Sequence, residues 1–159
     1  EYLNEMQEGE LFETKFEKTG NFVIDSVLSY KTQEANRLGI ESKMDVKVPK
    51  DLNISAYVLT GILTNLLDNA IEACCKAKQK HIKVVIKYTK KMLIIRISNT
   101  YDGKEKFNSV TEIKTSKSDK ELHGYGIKSI RHMVESVEGD FTIQTKDKWF
   151  VADVVIPLM

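Results

Sequence analysis

Cysteine, proline and tryptophan are scarce in this chain, and none of its hydrophobic runs is long. The two cysteines, Cys74 and Cys75, are adjacent. Neighbouring side chains on a helix point in different directions, so the pair does not read as a disulfide. No spaced Cys/His set of the kind that holds zinc accompanies them. The plain reading is reduced thiols in or near the core of a cytosolic protein. The longest apolar stretches, such as Met92-Leu93-Ile94-Ile95, are about four residues, far short of the ~18 that a membrane span needs. Charge of one sign is missing too: 24 Lys plus Arg stand against 23 Asp plus Glu, a net of +1. A bulk nucleic-acid binder would show a basic stripe and a high pI instead. There is no secretion signal, and the first residue is Glu1 rather than Met, so the chain reads as a piece cut from something longer. No internal repeat or low-complexity stretch is visible.

What remains is globular material, 42% hydrophobic and 30% charged. The length of 159 residues suits one domain with a real core. Residues 1–18 are polar with scattered large apolar side chains (Tyr2, Leu3, Met6, Leu11, Phe12, Phe16) and read as a helix tail or docking segment. Thr19-Gly20-Asn21 offers a helix start, and Gly39 suits its end. Ile40 to Val48 reads as a strand closed by Pro49. The clearest helix covers about 55–76, where Leu59, Ile62, Leu63, Leu66, Leu67, Ala70 and Cys74 recur at helical spacing. Residues 81–88 and 92–98 are strands turning at Lys90-Lys91. Residues 100–123 have no clean period. Gly124-Tyr125-Gly126 opens a last helix, Gly139 stops it, and a hairpin around Asp147-Lys148 ends the chain at Pro157. Tight turns between strands, rather than crossover helices, disfavour a dinucleotide-binding doubly wound fold. The expected class is α+β: a two-layer sandwich with a mixed, mostly antiparallel sheet and helices on one face.

Three features carry chemistry. The polar face of the long helix holds Asn65, Asp68, Asn69 and Glu72, with Lys76 a turn later. Asparagine is a mediocre helix former, so its repetition there asks for a reason, although the face also reads as plain solvated surface. Amides and acids together can supply oxygens to Mg²⁺, which keeps waters and bridges protein to phosphates. The aperiodic segment 100–123 is long enough to be a lid, and its Lys114-Thr115-Ser116-Lys117 offers hydroxyls and cations to phosphate oxygens, or is merely a solvated basic loop. His123-Gly124-Tyr125-Gly126-Ile127 puts two glycines at a helix start, where free N–H groups and the dipole favour anions, or where a flexible entry is simply needed. In chain order the three make a Mg-nucleotide site.

Here the chain resembles the ATP-binding catalytic domain of sensor histidine kinases, which shares the Bergerat fold with heat-shock chaperone 90, type II topoisomerases and MutL proteins. Asn65-Leu66-Leu67-Asp68-Asn69-Ala70 looks like the family's N-box, His123-Gly124-Tyr125-Gly126-Ile127 like its glycine box after the ATP lid, and Val154-Val155-Ile156-Pro157-Leu158 like its last strand. The match spans about 38–158. Asn69-Ala70-Ile71-Glu72-Ala73 is most similar to kinases that detect peptide pheromones, of the accessory gene regulator sensor type. The resemblance implies ATP and Mg²⁺ as cofactors, with Asn69 and Asn65 at the metal and Asn69 and Glu72 as the catalytic set. It implies nucleotide contacts from Asn65, Asn69, Asn99, Gly103, Thr115, Ser116, Lys117, His123, Gly124, Tyr125, Gly126 and Ile127. The family's adenine box departs here: Asn99 stands for the usual Asp, and of its glycines only Gly103 survives in Asn99-Thr100-Tyr101-Asp102-Gly103. An Asn oxygen still accepts a bond from an adenine amino group, without the charge-assisted component, so weaker binding is expected. Glu72 replaces a cation common in classical members.

The implied organisation is a helical end of a dimerisation or linker region over 1–38 and a catalytic domain over 39–159. None of His81, His123 and His132 lies in acceptor context, so the phosphoacceptor is expected upstream, on the dimerisation domain of the same protein. The implied partners are ATP, that domain, a response regulator and a second copy in a full-length homodimer, with no nucleic acid and no membrane contact by this piece. The implied setting is the cytoplasmic part of a membrane-anchored bacterial sensor. The rival readings are an anti-sigma-factor serine kinase of the same fold, a degenerate docking module, and an α+β domain without a nucleotide site.

Overall fold

The structure, a computed structural model, describes residues 18–103, 106–109, 112–114 and 117–159. The apolar positions expected to dock within 1–17 lie outside that set. Helix α1 (Phe22–Arg37) begins where Asn21 accepts from the Ile24 N–H at 3.0 Å, while Asp25 reaches back to the N–H groups of Thr19 and Gly20 at 3.0 and 2.9 Å. These bonds satisfy donors that the helix itself leaves open. At its other end Gly39 takes φ +75°, the Gly39 N–H donates to Asn36 O at 3.1 Å, and the Ile40 N–H donates to Ala35 O at 2.9 Å, a Schellman termination.

Strand β1 (Glu41–Lys47) follows, then helix α2 (Ala56–Cys75), which Ser55 caps through the Val58 N–H. Strands β2 (His81–Thr89) and β3 (Met92–Thr100) form a hairpin, and so do β6 (Asp140–Lys146) and β7 (Trp149–Pro157). Both turns fall where the sequence places them. Lys90 and Lys91, and Asp147 and Lys148, all have positive φ, the two-residue geometry that matches strand twist.

The sheet order is β1-β2-β3-β7-β6. Only the β1–β2 pair is parallel, with α2 as its crossover. The strands bury alternate residues: Ile82, Val84 and Ile86 of β2 and Leu93, Ile95 and Ile97 of β3 face the helices, as Val154 and Ile156 do from β7. The predicted α2 stripe is the other half of this core, with Leu59, Ile62, Leu63, Leu66, Leu67, Ala70 and Cys74 all buried. Helix α1 contributes Ile24, Leu28 and Ala35 to the same cluster.

Among the described residues no helix covers the opposite sheet face, which carries cross-strand charge pairs: Arg96 grips Asp153 at 2.7 and 3.0 Å, and Lys87 lies 3.4 Å from Asp45.

Two expectations change. Segment 100–123 is not an unbroken loop. Strand β3 runs to Thr100, strands β4 (Lys106–Ser109) and β5 (Glu112–Lys114) pair antiparallel, and helix α3 (Lys117–Ser136) starts about two turns before Gly124. Strands of this length carry too few alternations to register as a period, and the glycines read as a start because each costs about 1 kcal/mol inside a helix. Secondly, Gly139 does not supply the left-handed end of α3. Glu138 does, with φ 59°. Gly139 is there for closeness: a Cβ on it would lie 2.8 Å from the Val155 carbonyl oxygen and 2.9 Å from Val134 Cγ1.

Candidate functional site

Helix α2 is held on two sides, α1 along one flank and α3 along the other, and its polar positions divide between them. Consecutive helix residues point about 100° apart, so Asp68 and Asn69 cannot serve the same neighbour. Asp68 turns to α1, where Lys31 Nζ meets its carboxylate and also lies 3.1 Å from Glu34 Oε2. Burial alone lowers the Lys31 pKa, but the hydrogen bonds to Asp68 and Glu34 outweigh it and hold the ammonium above its usual range. Asn69 turns to α3. Its amide occupies the place where a side chain on Gly126 would stand: a Cβ there would come 2.8 Å from Oδ1 and 3.2 Å from Nδ2. The Asn69 Nδ2 is buried and has no hydrogen-bond partner among the described residues.

Asn65, one turn earlier, lines an apolar groove of about 770 Å³ between α2 and α3 with Tyr57, Thr60, Lys128, Ser129, His132 and Met133. Gly61 lets the helices close there, since a Cβ on it would overlap Met133 Sδ at 2.5 Å. Glu72 is not part of this groove. It lies with Asp68, Lys31, Glu34 and Lys76 along the α1 side, in a separate depression of about 690 Å³. The polar face expected to act as one set is therefore split, with Asn65 and Asn69 toward α3 and Asp68 and Glu72 toward α1.

Asn99 sits at the end of β3 on the helix-facing side and is 1% exposed. Its Nδ2 donates to the Thr100 carbonyl at 2.9 Å. That bond uses one of its two amide hydrogens and fixes which way the amide faces. Thr100 stitches the strand end to the end of α2. Its hydroxyl donates to Gln79 O at 2.6 Å, accepts from the His81 N–H at 3.0 Å, and lies 3.4 Å from Cys74 Sγ. Burial pushes the Cys74 thiol pKa up, against the lowering effect of its bonds to Thr100 and His81. Gly103 has φ +78°, a conformation that suits glycine. Ile127 is buried in the core beneath α3. Lys117 begins that helix, and His123, Gly124 and Tyr125 lie within it. The Gly124 and Gly126 N–H groups are thus committed to the helical ladder rather than free at a helix start. Thr115 and Ser116 lie outside the described residues.

With this geometry in place, the likenesses to other proteins can be read. The sequence pattern of the GHKL domain matches residues 54–157, most of the chain. The chain belongs to the GHKL domain family. No curated protein matches it. The catalytic domain of histidine kinase ThkA, nucleotide free, superposes with a TM-score of 0.69 at 17% identity, covering 88% of this chain and 92% of that one. The mycobacterial sensor histidine kinase MprB gives 0.63 at 16%, covering 86% and 93%. Full-length ShkA in complex with AMPPNP gives 0.65 at 13%, covering 86% of this chain and 29% of that one. At these identities the likeness is one of fold: three helices on an open, five-stranded mixed sheet, as in histidine kinase catalytic domains.

In this GHKL domain the residues at the seam fit a phosphate group with a divalent ion. The orphan Asn69 Nδ2 is a donor suited to a phosphate oxygen, its Oδ1 is the atom that would hold the ion, and the bare Gly126 backbone opposite leaves no side chain in the way. Among the described residues no three or more His, Cys, Asp or Glu gather as a metal set, so protein ligation would rest on amide oxygens, as suits Mg²⁺ that keeps its waters. The sequence did not point to Lys31 or Met133. A lysine on an amphipathic helix reads as solvated, and only the packed helices reveal that its ammonium crosses to α2. His132 and Lys128, one turn apart on α3, line the groove as well, and the sequence did not place them there.

Proposed function

We propose that this GHKL domain binds Mg-ATP and is the catalytic domain of a sensor histidine kinase, passing the γ-phosphate to a His on an upstream dimerisation hairpin and from there to a response regulator. The observation that carries the reading is the unpartnered Asn69 amide set against the bare backbone of Gly126. Asn69 of the N-box and Gly126 of the glycine box meet there across the α2–α3 seam. The Asn-Ala-Ile-Glu-Ala form of the N-box supports a place among peptide-pheromone kinases, which would make the intact protein a membrane-anchored homodimer acting in quorum sensing. The helical region through residue 38 would then link dimerisation domain to catalytic domain.

Chemically, this is a positioning task. Asn69, with Asn65, would hold Mg²⁺, whose charge offsets that of the phosphates. The Asn99 oxygen would accept from the adenine amino group. Glu72 lies on the α1 side and would act at the edge of the site rather than on phosphate. For the Gly124 and Gly126 N–H groups to meet phosphate oxygens, the first turns of α3 must open. Two glycines weaken that stretch by about 1 kcal/mol each.

Calorimetric titration with Mg-ATP and Mg-ADP tests the reading. Saturable binding that Asn69→Ala removes is expected. No binding at millimolar nucleotide, or binding that ignores Asn69→Ala, would overturn it.

A further inference from the structure

We propose that Lys31 of α1 is a positioning residue for Asn69, acting through Asp68; the proposal rests on the reading of the α2–α3 seam as a nucleotide site. Lys31 Nζ lies 2.5 Å from Asp68 Oδ1 and 3.1 Å from Glu34 Oε2, and the Lys31 side chain is only 13% exposed. It is therefore fixed between two carboxylates rather than free in solvent. Asp68 immediately precedes Asn69, and the two side chains leave α2 about 100° apart. One is tied to α1 while the other is set against Gly126.

Much of what else holds α2 is apolar packing from Leu63, Leu66, Leu67 and Ala70. Such contact is close-packed and holds the body of the helix, but it is non-directional and does not by itself fix the angle of a flanking polar side chain. A charge-assisted hydrogen bond is directional and does so. A roll of about 10° would carry an amide lying ~5–6 Å from the axis through about 1 Å. Such a shift would carry the amide out of the space it now fills beside Gly126, where an added Cβ would stand 2.8 Å from Asn69 Oδ1. Mg²⁺ tolerates little departure from its octahedral geometry, and a misplacement of ~1 Å can cost about a hundredfold. The half-exposed Asp68 end of the pair means that its direct contribution to stability is modest. Its effect is on where Asn69 points.

The test uses the whole chain with Lys31→Met, Lys31→Arg and Asp68→Asn. Two quantities are read: the Asn69 side-chain amide resonances by ¹⁵N–¹H spectroscopy without nucleotide, and Mg-ATP affinity by calorimetry. Lys31→Met and Asp68→Asn are expected to move the Asn69 signals and weaken binding by up to about fivefold while the core methyl spectrum stays in place, and Lys31→Arg is expected to restore both. Asn69 signals that coincide with those of the unsubstituted chain in Lys31→Met would overturn the proposal. An unsubstituted chain that binds Mg-ATP and loses it with Asn69→Ala, but whose affinity ignores Lys31→Met, would overturn this proposal alone. An unsubstituted chain that binds no Mg-ATP would overturn the nucleotide reading and this proposal together.

Discussion

Replacing Gly126 by alanine sets two opposing effects against each other in one methyl group. Inside a helix Ala is favoured over Gly by about 1 kcal/mol. At this position the new Cβ would lie 2.8 Å from Asn69 Oδ1, 3.2 Å from Nδ2 and 3.4 Å from Cγ, so α3 must lift or the amide must turn aside. Overpacking of this kind costs about 1–3 kcal/mol. The net expectation is a loss of about 0–2 kcal/mol, or up to ~8 °C in Tm at about 2–4 °C per kcal/mol for a chain of this size. The sign should reverse when the obstruction is removed. In an Asn69→Ala background nothing stands against the Cβ, and Gly126→Ala should stabilise by about 1 kcal/mol, the propensity gain alone. Urea unfolding of the four chains gives a coupling of about 1–3 kcal/mol between the positions. If Gly126→Ala stabilises both backgrounds equally, Asn69 does not occupy the space beside Gly126, and the geometry on which the site rests is wrong.

The other glycines are expected to differ from one another for a stated reason. Gly61→Ala meets only the end of the flexible Met133 side chain and should change stability by less than about 1 kcal/mol. Gly139→Ala meets the Val155 carbonyl and should cost about 1–3 kcal/mol, both read by thermal unfolding. Lys90 and Lys91 hold left-handed backbone at a penalty of roughly 1 kcal/mol each, so replacing the pair by Asn-Gly should raise the urea midpoint. Mass spectrometry after brief alkylation should find Cys75 modified and Cys74 spared, because Cys75 is exposed whereas Cys74 is buried with its thiol pKa raised. The sign for stability follows. A thiol whose folded pKa is raised contributes stability below its unfolded pKa, and that contribution is lost as pH climbs through the folded value. Cys74→Ala should therefore flatten part of any alkaline loss of stability.

The helices and hairpins were legible wherever one period ran long enough. The α2 stripe and both two-residue turns stood out because burial on one side, and a tight reversal between alternating runs, leave marks in adjacent residues. The parallel β1–β2 pairing did not, since it is decided by where α2 returns the chain. The start of α3 was hidden because the glycines that break its propensity are placed for a neighbour: Gly126 is small on account of Asn69, which lies far away in sequence. The candidate site was half legible. Asn65 and Asn69 were visible as odd residues on a helix face, but that this face serves two different helices is a property of packing. Lys31 gave no sign at all, because nothing local distinguishes a lysine that bridges two carboxylates from one in water.

The sheet order also sets when the fold can form. Strand β7 is the last element in the chain, yet it lies between β3 and β6 and pairs with both. Until those residues leave the ribosome, β3 has an open apolar edge and β6 has no neighbour in the sheet. Everything made earlier can collapse around α2 but cannot complete its core, because Val154 and Ile156, both 0% exposed, arrive with the final strand. Assembly of this domain therefore waits for β7, and a chain that stops short of it exposes the strand edges that invite aggregation.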